Sequence, residues 1–220
     1  MTALPDDPTL DEIRAYLAPR LPAHTAFDGW TPAAVDSAAS EAGIDPGIAR
    51  LAFPGGAIDM IDAWFASIDA RMADALPVEK LAAMKVRARI RALITTRLDI
   101  VRPDREALRR ALSILSMPLN LPKAARLGWR SADLMWQLAG DTATDYNHYS
   151  KRLTLSAVYG STILIFLDDE SEGFQETEAF LDRRIDNVMQ FEKAKAQFTA
   201  RREHLPSLSR FIGRLRYPAV

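Results

Sequence analysis

The chain has 220 residues, 48% of them hydrophobic and 26% charged, with no cysteine. That length can bury a core unaided, and the apolar content excludes a disordered chain. Lack of cysteine excludes disulfides, thiolate zinc sites, iron–sulfur clusters and thiol nucleophiles, and the three histidines, His24, His148 and His204, are too scattered for a histidine-rich metal site. The overall charge of −1 hides a split: residues 1–76 hold twelve acids against four arginines, a net −8 that residues 77–220 offset with +7.

Nearly every segment reads as helix. Thr9 is placed to cap a helix from Leu10 to about Arg20, with Ile13, Leu17 and Leu21 on one face. Thr31-Pro32 opens a second helix that Gly43 closes, and Asp45-Pro46 repeats the device for a short one ending before Pro54-Gly55-Gly56. A longer helix, about Ala57 to Leu76, carries Met60, Ile61, Trp64, Phe65, Ile68 and Met72 and stops at Pro77. Val86, Ile90, Leu93, Ile94, Leu98 and Val101 keep a helical period up to Pro103.

Asp104 caps the next helix, which ends at Met117-Pro118. Another runs from Pro122 to Ala139, and Gly140-Asp141 breaks it. Two long helices follow, about 145–167 and 174–202, then a short one over 207–216. Strand alternation never persists. The expected class is all-α with about ten helices, divided into a helix-turn-helix-like part at 1–76, a ligand-binding and dimerisation part at 77–202, and a terminal amphipathic helix at 203–220.

The pair of helices joined at Gly43 has the spacing of a helix-turn-helix, and with the long helix behind it resembles the amino-terminal domain of TetR-type regulators. Its charge argues against DNA. Phosphate contacts need Lys and Arg, and the would-be reading helix offers only Arg50, amid Asp45, Asp59 and Asp62. No nucleic-acid partner is expected, and a ligand-responsive TetR-type repressor is the alternative reading.

The later helices suit an apolar ligand. Met117, Leu119 and Leu121 straddle a Pro-broken link, Trp129, Leu134, Met135 and Trp136 sit on the helix after it, and Tyr146, Tyr149, Leu155, Val158, Tyr159, Ile163 and Phe166 on the next. Met adapts to irregular ligands, and Tyr or Trp joins an apolar body to one polar handle. A plain core would use the same residue types. The run from Leu153 to Leu167 is apolar on most sides, so it calls for burial on most sides, and Leu181, Ile185, Val188 and Met189 follow at close to heptad spacing. Two such helices from each of two subunits would form a four-helix interface, so a homodimer is expected.

Leu208, Phe211, Ile212 and Leu215 share a face, with Arg210, Arg214 and Arg216 between them. Such a helix can lie in a membrane interface, or dock on its own core. The acidic start resembles no signal or transit peptide, and no apolar run approaches the roughly 20 residues that span a bilayer. The expected location is the cytoplasm, peripheral on the inner face of the membrane.

For catalysis, Asp168-Asp169-Glu170-Ser171-Glu172 offers carboxylates, but its place between two helices reads as capping. His148 near Asp145 lacks any companion for nucleophilic or metal chemistry, and Arg87, Arg89 and Arg91 read as solvated or salt-bridged faces. No enzyme, cofactor or metal is expected.

Ordered blocks complete the reading. These are Met84 to Arg91, Arg109-Arg110-Ala111, Met117 to Asn120, Ala132 to Trp136, Gly140 to Arg152, Asp169 to Phe174, and Phe180 to Val188. Together they resemble the lipid-binding accessory proteins of ubiquinone (coenzyme Q) biosynthesis in their bacterial form, from about Gly29 to Lys195. The resemblance implies a TetR-like fold without DNA binding, a homodimer, a bound isoprenoid, quinone intermediate or phospholipid, and presentation of that lipid to the di-iron hydroxylase of ubiquinone synthesis. It also implies a hydroxylase-facing patch at Asp145, Asn147, His148 and Tyr149. His148 stands where the eukaryotic pattern has Trp.

Overall fold

The computed structural model describes residues 4–142 and 146–203, and the side chains within them except at 146, 147 and 191–203. Among these residues are eleven α-helices, three short 3-10 turns and no strand, which is the all-α class expected. Asp145, the side chains of Tyr146 and Asn147, and the proposed membrane residues Leu208, Arg210, Phe211, Ile212, Arg214 and Leu215 lie outside the described residues.

Helix α1 (Leu10–Leu17) starts at a reciprocal cap: the Thr9 hydroxyl accepts from the Glu12 amide at 3.3 Å, and the Glu12 carboxylate accepts from the Thr9 amide at 2.8 Å. The helix stops three residues short of the expected Arg20, and a second one, α2 (Leu21–Asp28), follows. Pro19 and Pro22 explain the break, since neither supplies an amide hydrogen to continue the ladder. The apolar period runs through the break nonetheless, with Ile13, Leu17 and Leu21 all buried.

Helices α3 (Pro32–Glu41) and α4 (Pro46–Leu51) meet at Gly43, whose φ of 72° disfavours any side chain. The Asp45 carboxylate caps α4 by accepting from the Ile48 amide at 3.0 Å. Alanines 34, 38 and 39 lie fully buried on α3, so the pair packs closely. Helix α5 (Ala57–Ala75) buries Met60, Ile61, Trp64, Ile68 and Met72. Trp64 lies 5.3 Å from the Trp30 ring, whose indole N–H reaches the Ala107 carbonyl at 3.1 Å. That bond, 77 residues along the chain, fastens the helix-turn-helix-like part to the later helices.

A short α6 (Val78–Ala82) uses Pro77 as its start, an element that the pattern of apolar residues does not signal. Helices α7 (Val86–Val101), α8 (Arg105–Leu115) and α9 (Leu121–Leu138) are separated by 3-10 turns at Arg102–Asp104 and Pro118–Asn120. Helix α10 (Tyr146–Asp168) returns against α9, and a 3-10 turn at Glu172–Phe174 leads into α11 (Gln175–Glu203). Two compact units divide within α11: residues to Leu181 form one, and residues from Asp182 the other.

Inside the first unit, Arg97 of α7 is buried and ion-paired with Asp69 of α5, and its Nε donates to the Tyr159 hydroxyl of α10 at 2.7 Å. Ser131 of α9 donates to the same Asp69 at 3.5 Å. Burial disfavours the Arg97 charge, but Tyr159 and Asp69 outweigh it and keep the guanidinium ionised. Removing one member would leave a buried charge unpaired, at about 3–5 kcal/mol.

The acidic run between α10 and α11 acts as caps. Asp169 is buried, and its carboxylate accepts from the amide and hydroxyl of Thr177 at 2.8 and 2.6 Å and from the Ser171 amide at 2.8 Å. Arg105 and Arg109 of α8 meanwhile donate to the Leu167 carbonyl at the end of α10. Burial alone would raise the Asp169 pKa, but these hydrogen bonds prevail and lower it to about 2. A carboxylate with a depressed folded-state pKa stabilises the fold above its unfolded value, and that contribution disappears as pH falls from about 4 through about 2. Asp169→Asn should therefore flatten the acid limb of stability between those values in urea unfolding followed by circular dichroism; an unchanged limb would show that Asp169 does not contribute.

Candidate functional site

The α9–α10 hairpin carries most of the residues expected to meet a ligand or partner. Trp129 of α9 faces two side chains at the start of α10, with ring centroids 6.4 Å from His148 and 6.0 Å from Tyr149. His148 and Tyr149 themselves meet edge to face at 5.1 Å. Tyr149 is 61% exposed, so the cluster is an aromatic surface held from below.

What holds it is Arg152, whose side chain is 3% exposed. Its guanidinium pairs with Asp133 of α9 and with Asp141 of the connecting loop at 3.1 Å, and donates to the His148 carbonyl at 3.1 Å. Lys151 reaches Asp141 at 2.6 Å, and the Trp136 indole donates to the Lys151 carbonyl at 3.0 Å. The start of α10 is thus pinned to α9 by ion pairs as well as by aromatic packing. The run Lys151-Arg152 opposite Asp133 and Asp141 is legible only from an antiparallel hairpin register, and no local sequence pattern assigns it a role.

The residues proposed to line a lipid pocket divide three ways. Met117, Leu119 and Leu121, at the turn before α9, are 53%, 93% and 53% exposed. Met135, Ile163 and Phe166 are buried in the core, and Tyr159 belongs to the Arg97 clamp. Trp129 and Trp136 are half-buried on the hairpin. On α10 the apolar run is buried at Leu155, Val158, Ile163 and Phe166, while Tyr149, Leu153, Ala157 and Leu164 form an exposed stripe on the opposite face. Gly160 lies in that stripe, and a Cβ built there would meet no atom within 4 Å.

Two cavities lie on α5. A trough of about 680 Å³ runs between α1, α5 and the turn before α8, lined by Ala15, Ala18, Ala63, Ala66, Ala70 and Pro103 with Pro19 and Ser67, and by the charged Asp11, Arg14, Arg71 and Asp104. Arg14 is committed to the carbonyls of Ala52 and Asp59, both at 2.9 Å. Burial raises the Asp104 pKa, partly offset by Arg71. A second cavity of about 290 Å³ is lined by Ala66, Asp69, Arg130, Asp133, Leu134 and Gln137. Ala66 lines both.

Arg130 is ion-paired with Asp62 through one terminal nitrogen, and the other donates to the Asp62 carbonyl at 3.2 Å. Its Nε is buried without a hydrogen-bond partner, with Asp69 Oδ2 at 3.5 Å. An unsatisfied buried N–H costs about 1–3 kcal/mol. Leu134 was among the residues expected on a pocket wall; Arg130 and the α5 alanines were not, since nothing in their local sequence sets them apart.

Arg89 likewise has a fixed task. It donates to the carbonyls of Met84 and Ala82 and to Ala139 at the end of α9, at 2.8, 3.1 and 2.7 Å, and so closes helix ends in place of forming a solvated face. Arg91 pairs with Glu178 at 3.5 Å. Among the described residues no group of acidic or histidine side chains is arranged to hold a metal ion, and no helix is long and apolar enough to cross a membrane.

Residues 121–192, from the first residue of α9 into α11, match the model of the COQ9 family. The chain is 33% identical over 168 residues to the mitochondrial ubiquinone biosynthesis protein COQ9 of Rattus norvegicus, covering 73% of this chain and 54% of that protein. Against the Homo sapiens protein of the same name it is 32% identical over 176 residues, 77% of this chain and 54% of the other. Its relatives are the COQ9 proteins. The chain spans about half the length of the curated relatives it matches.

The COQ9 match falls on the hairpin that carries Trp129, Tyr149 and Arg152, and it is the resemblance read from the sequence blocks. A TetR transcriptional regulator from Nitrosomonas europaea shares the fold, with a TM-score of 0.63 and 23% identity over 84% of this chain and 99% of that one. The TetR-like architecture therefore stands.

Proposed function

We propose that this chain is a non-catalytic, lipid-binding protein of ubiquinone biosynthesis that presents isoprenoid or quinone intermediates to a biosynthetic enzyme at a membrane surface. The observation that carries the reading is the α9–α10 hairpin, which matches the COQ9 family and, with the turn that leads into it, displays large apolar side chains to solvent at Met117, Leu119, Leu121 and Leu153. Large apolar side chains left exposed in this number mark a place where something apolar binds. Organic extraction of the gently purified protein, with mass spectrometry against a mock purification, should yield a stoichiometric isoprenoid or phospholipid. A clean blank without detergent would overturn the cargo reading.

The partner-facing surface is the Trp129–His148–Tyr149 cluster. Tyr and Trp serve well at such surfaces, because they bury large rigid area at small entropic cost. The partner we assign, on the resemblance, is the di-iron hydroxylase of ubiquinone synthesis. Tyr149→Ala should reduce co-purification of that hydroxylase about tenfold or more while lipid occupancy stays the same; equal recovery by both proteins would remove the patch from the interface.

The exposed stripe on α10 beyond Tyr149, at Leu153, Ala157 and Leu164, is assigned to a second copy of the chain. A glycine inside a helix costs about 1 kcal/mol relative to alanine, and no neighbour within this chain requires one at Gly160. Close approach of another helix would explain it. Leu153→Glu combined with Leu164→Glu should convert a dimer to a monomer in sedimentation equilibrium, and a monomeric wild type would dismiss the assignment.

A TetR-like regulator would need cations on α4. Arg50 supplies one, but it is held bidentately by Asp36 of α3, with Nε to Oδ1 at 2.6 Å. This pairing supports a reading without nucleic acid.

A further inference from the structure

The cavities on α5 suggest where a cargo of this chemistry would sit, and the suggestion rests on the lipid-binding reading above. We infer that α5 carries an amphiphile site, with the alanine trough taking an apolar tail and the Arg130–Asp69 cavity taking a hydroxyl-bearing ring, the two joined at Ala66.

Three observations converge. The trough has a volume of about 680 Å³ and is walled by Ala15, Ala18, Ala63, Ala66, Ala70 and Pro103, whose small side chains leave room for a chain to lie along the helix. Apart from Ser67, its polar lining consists of charged residues, and Arg14 among them is already satisfied by two carbonyls. Asp11 and Arg71 are exposed to water, and most of the remaining wall is alanine and proline, so the match is to a hydrocarbon tail.

The second cavity is smaller, and polar groups form a larger share of its lining than in the trough. Arg130 brings a buried Nε–H that makes no hydrogen bond and has the Asp69 carboxylate 3.5 Å away, while Asp69 and Asp133 bring carboxylates that Arg97 and Arg152 hold in place, and Leu134 with Ala66 gives an apolar wall. A group that accepts from Arg130 and donates to a carboxylate at once is a hydroxyl. About 290 Å³ accommodates a single substituted ring. Asp69 is also the acid of the Arg97 clamp, so its carboxylate is held in place by α7 before any ligand arrives.

The third observation is the junction. On α5, Ala63 and Ala70 face the trough and Asp69 faces the polar cavity, with Ala66 between them lining both. Ala66 and Ala70 are exposed, so larger residues there fill the site without entering the core.

The test uses the full chain and soluble probes: para-nonylphenol, its methyl ether, and phenol without a tail. Binding is followed by equilibrium dialysis below the aggregation concentration of each probe. Para-nonylphenol should bind at least about tenfold tighter than the methyl ether, which cannot donate, and tighter still than tailless phenol. Ala66→Leu with Ala70→Leu should weaken para-nonylphenol about tenfold or more with helicity and Tm preserved. Arg130→Gln should erase the preference for the phenol over its ether.

Equal affinity for phenol and ether, or no effect of the paired leucines in a folded protein, would overturn the site. Extraction of the Ala66→Leu, Ala70→Leu variant separates the two readings. If wild type and variant carry equal lipid, the cargo reading survives and the α5 site falls. If neither carries lipid but the probe preferences hold, the site stands and the cargo reading falls.

Discussion

The buried guanidinium of Arg97 organises the first unit. Ionised arginine inside a protein must be met by acceptors, and here they come from two other helices: Asp69 of α5 and Tyr159 of α10. Asp69 in turn receives Ser131 of α9 and lies beside Arg130. Four helices are therefore locked by one polar centre, where apolar packing alone would allow them to slide. Arg97, Asp69 and Ser131 are all buried, so the centre acts in a low-dielectric setting that rewards satisfied pairs and penalises any break.

The same arrangement makes α5 the structural spine of the first unit as well as the longest element of the amino-terminal part. One side of it carries the aromatic stack with Trp30, one meets the clamp, and Ala63, Ala66 and Ala70 border the cavities. The helix-turn-helix-like pair packs beside it but has spent its arginine on Asp36. A fold shared with a TetR regulator has thus kept its packing, while the charge needed for phosphate contact is neutralised within the motif itself.

Much of the architecture was legible. The caps at Thr9 and Asp45, the Gly43 turn, the period of α5 and α7 and the Pro122 and Gly140 bounds of α9 each place an element where the structure has it, because each depends on residues within a turn or two. The break at Pro19 was missed because Ile13, Leu17 and Leu21 keep helical spacing across it, and burial, not hydrogen bonding, sets that spacing. The short α6 has too few residues to show a period at all. Asp169 was legible as a cap in kind, but not as a buried carboxylate that reaches Thr177 eight residues on.

The site was harder to read. Trp129 was expected to meet an apolar ligand and Tyr149 to face a partner, and only the fold brings their rings to 6.0 Å from one another. Composition placed Met135, Phe166 and Leu119 in one class, while their exposures differ from buried to almost fully solvent-facing. Helix boundaries, handed turns, the family blocks and the acidic balance of residues 1–76 were determined by the sequence itself, because they follow from local hydrogen bonding and from charge, which needs no coordinates. Which arginine is buried, which alanines border a cavity and which face of α10 stays open were decided only by tertiary structure. Identical side chains at identical local spacing differ in role solely through the distant helices that come to pack against them.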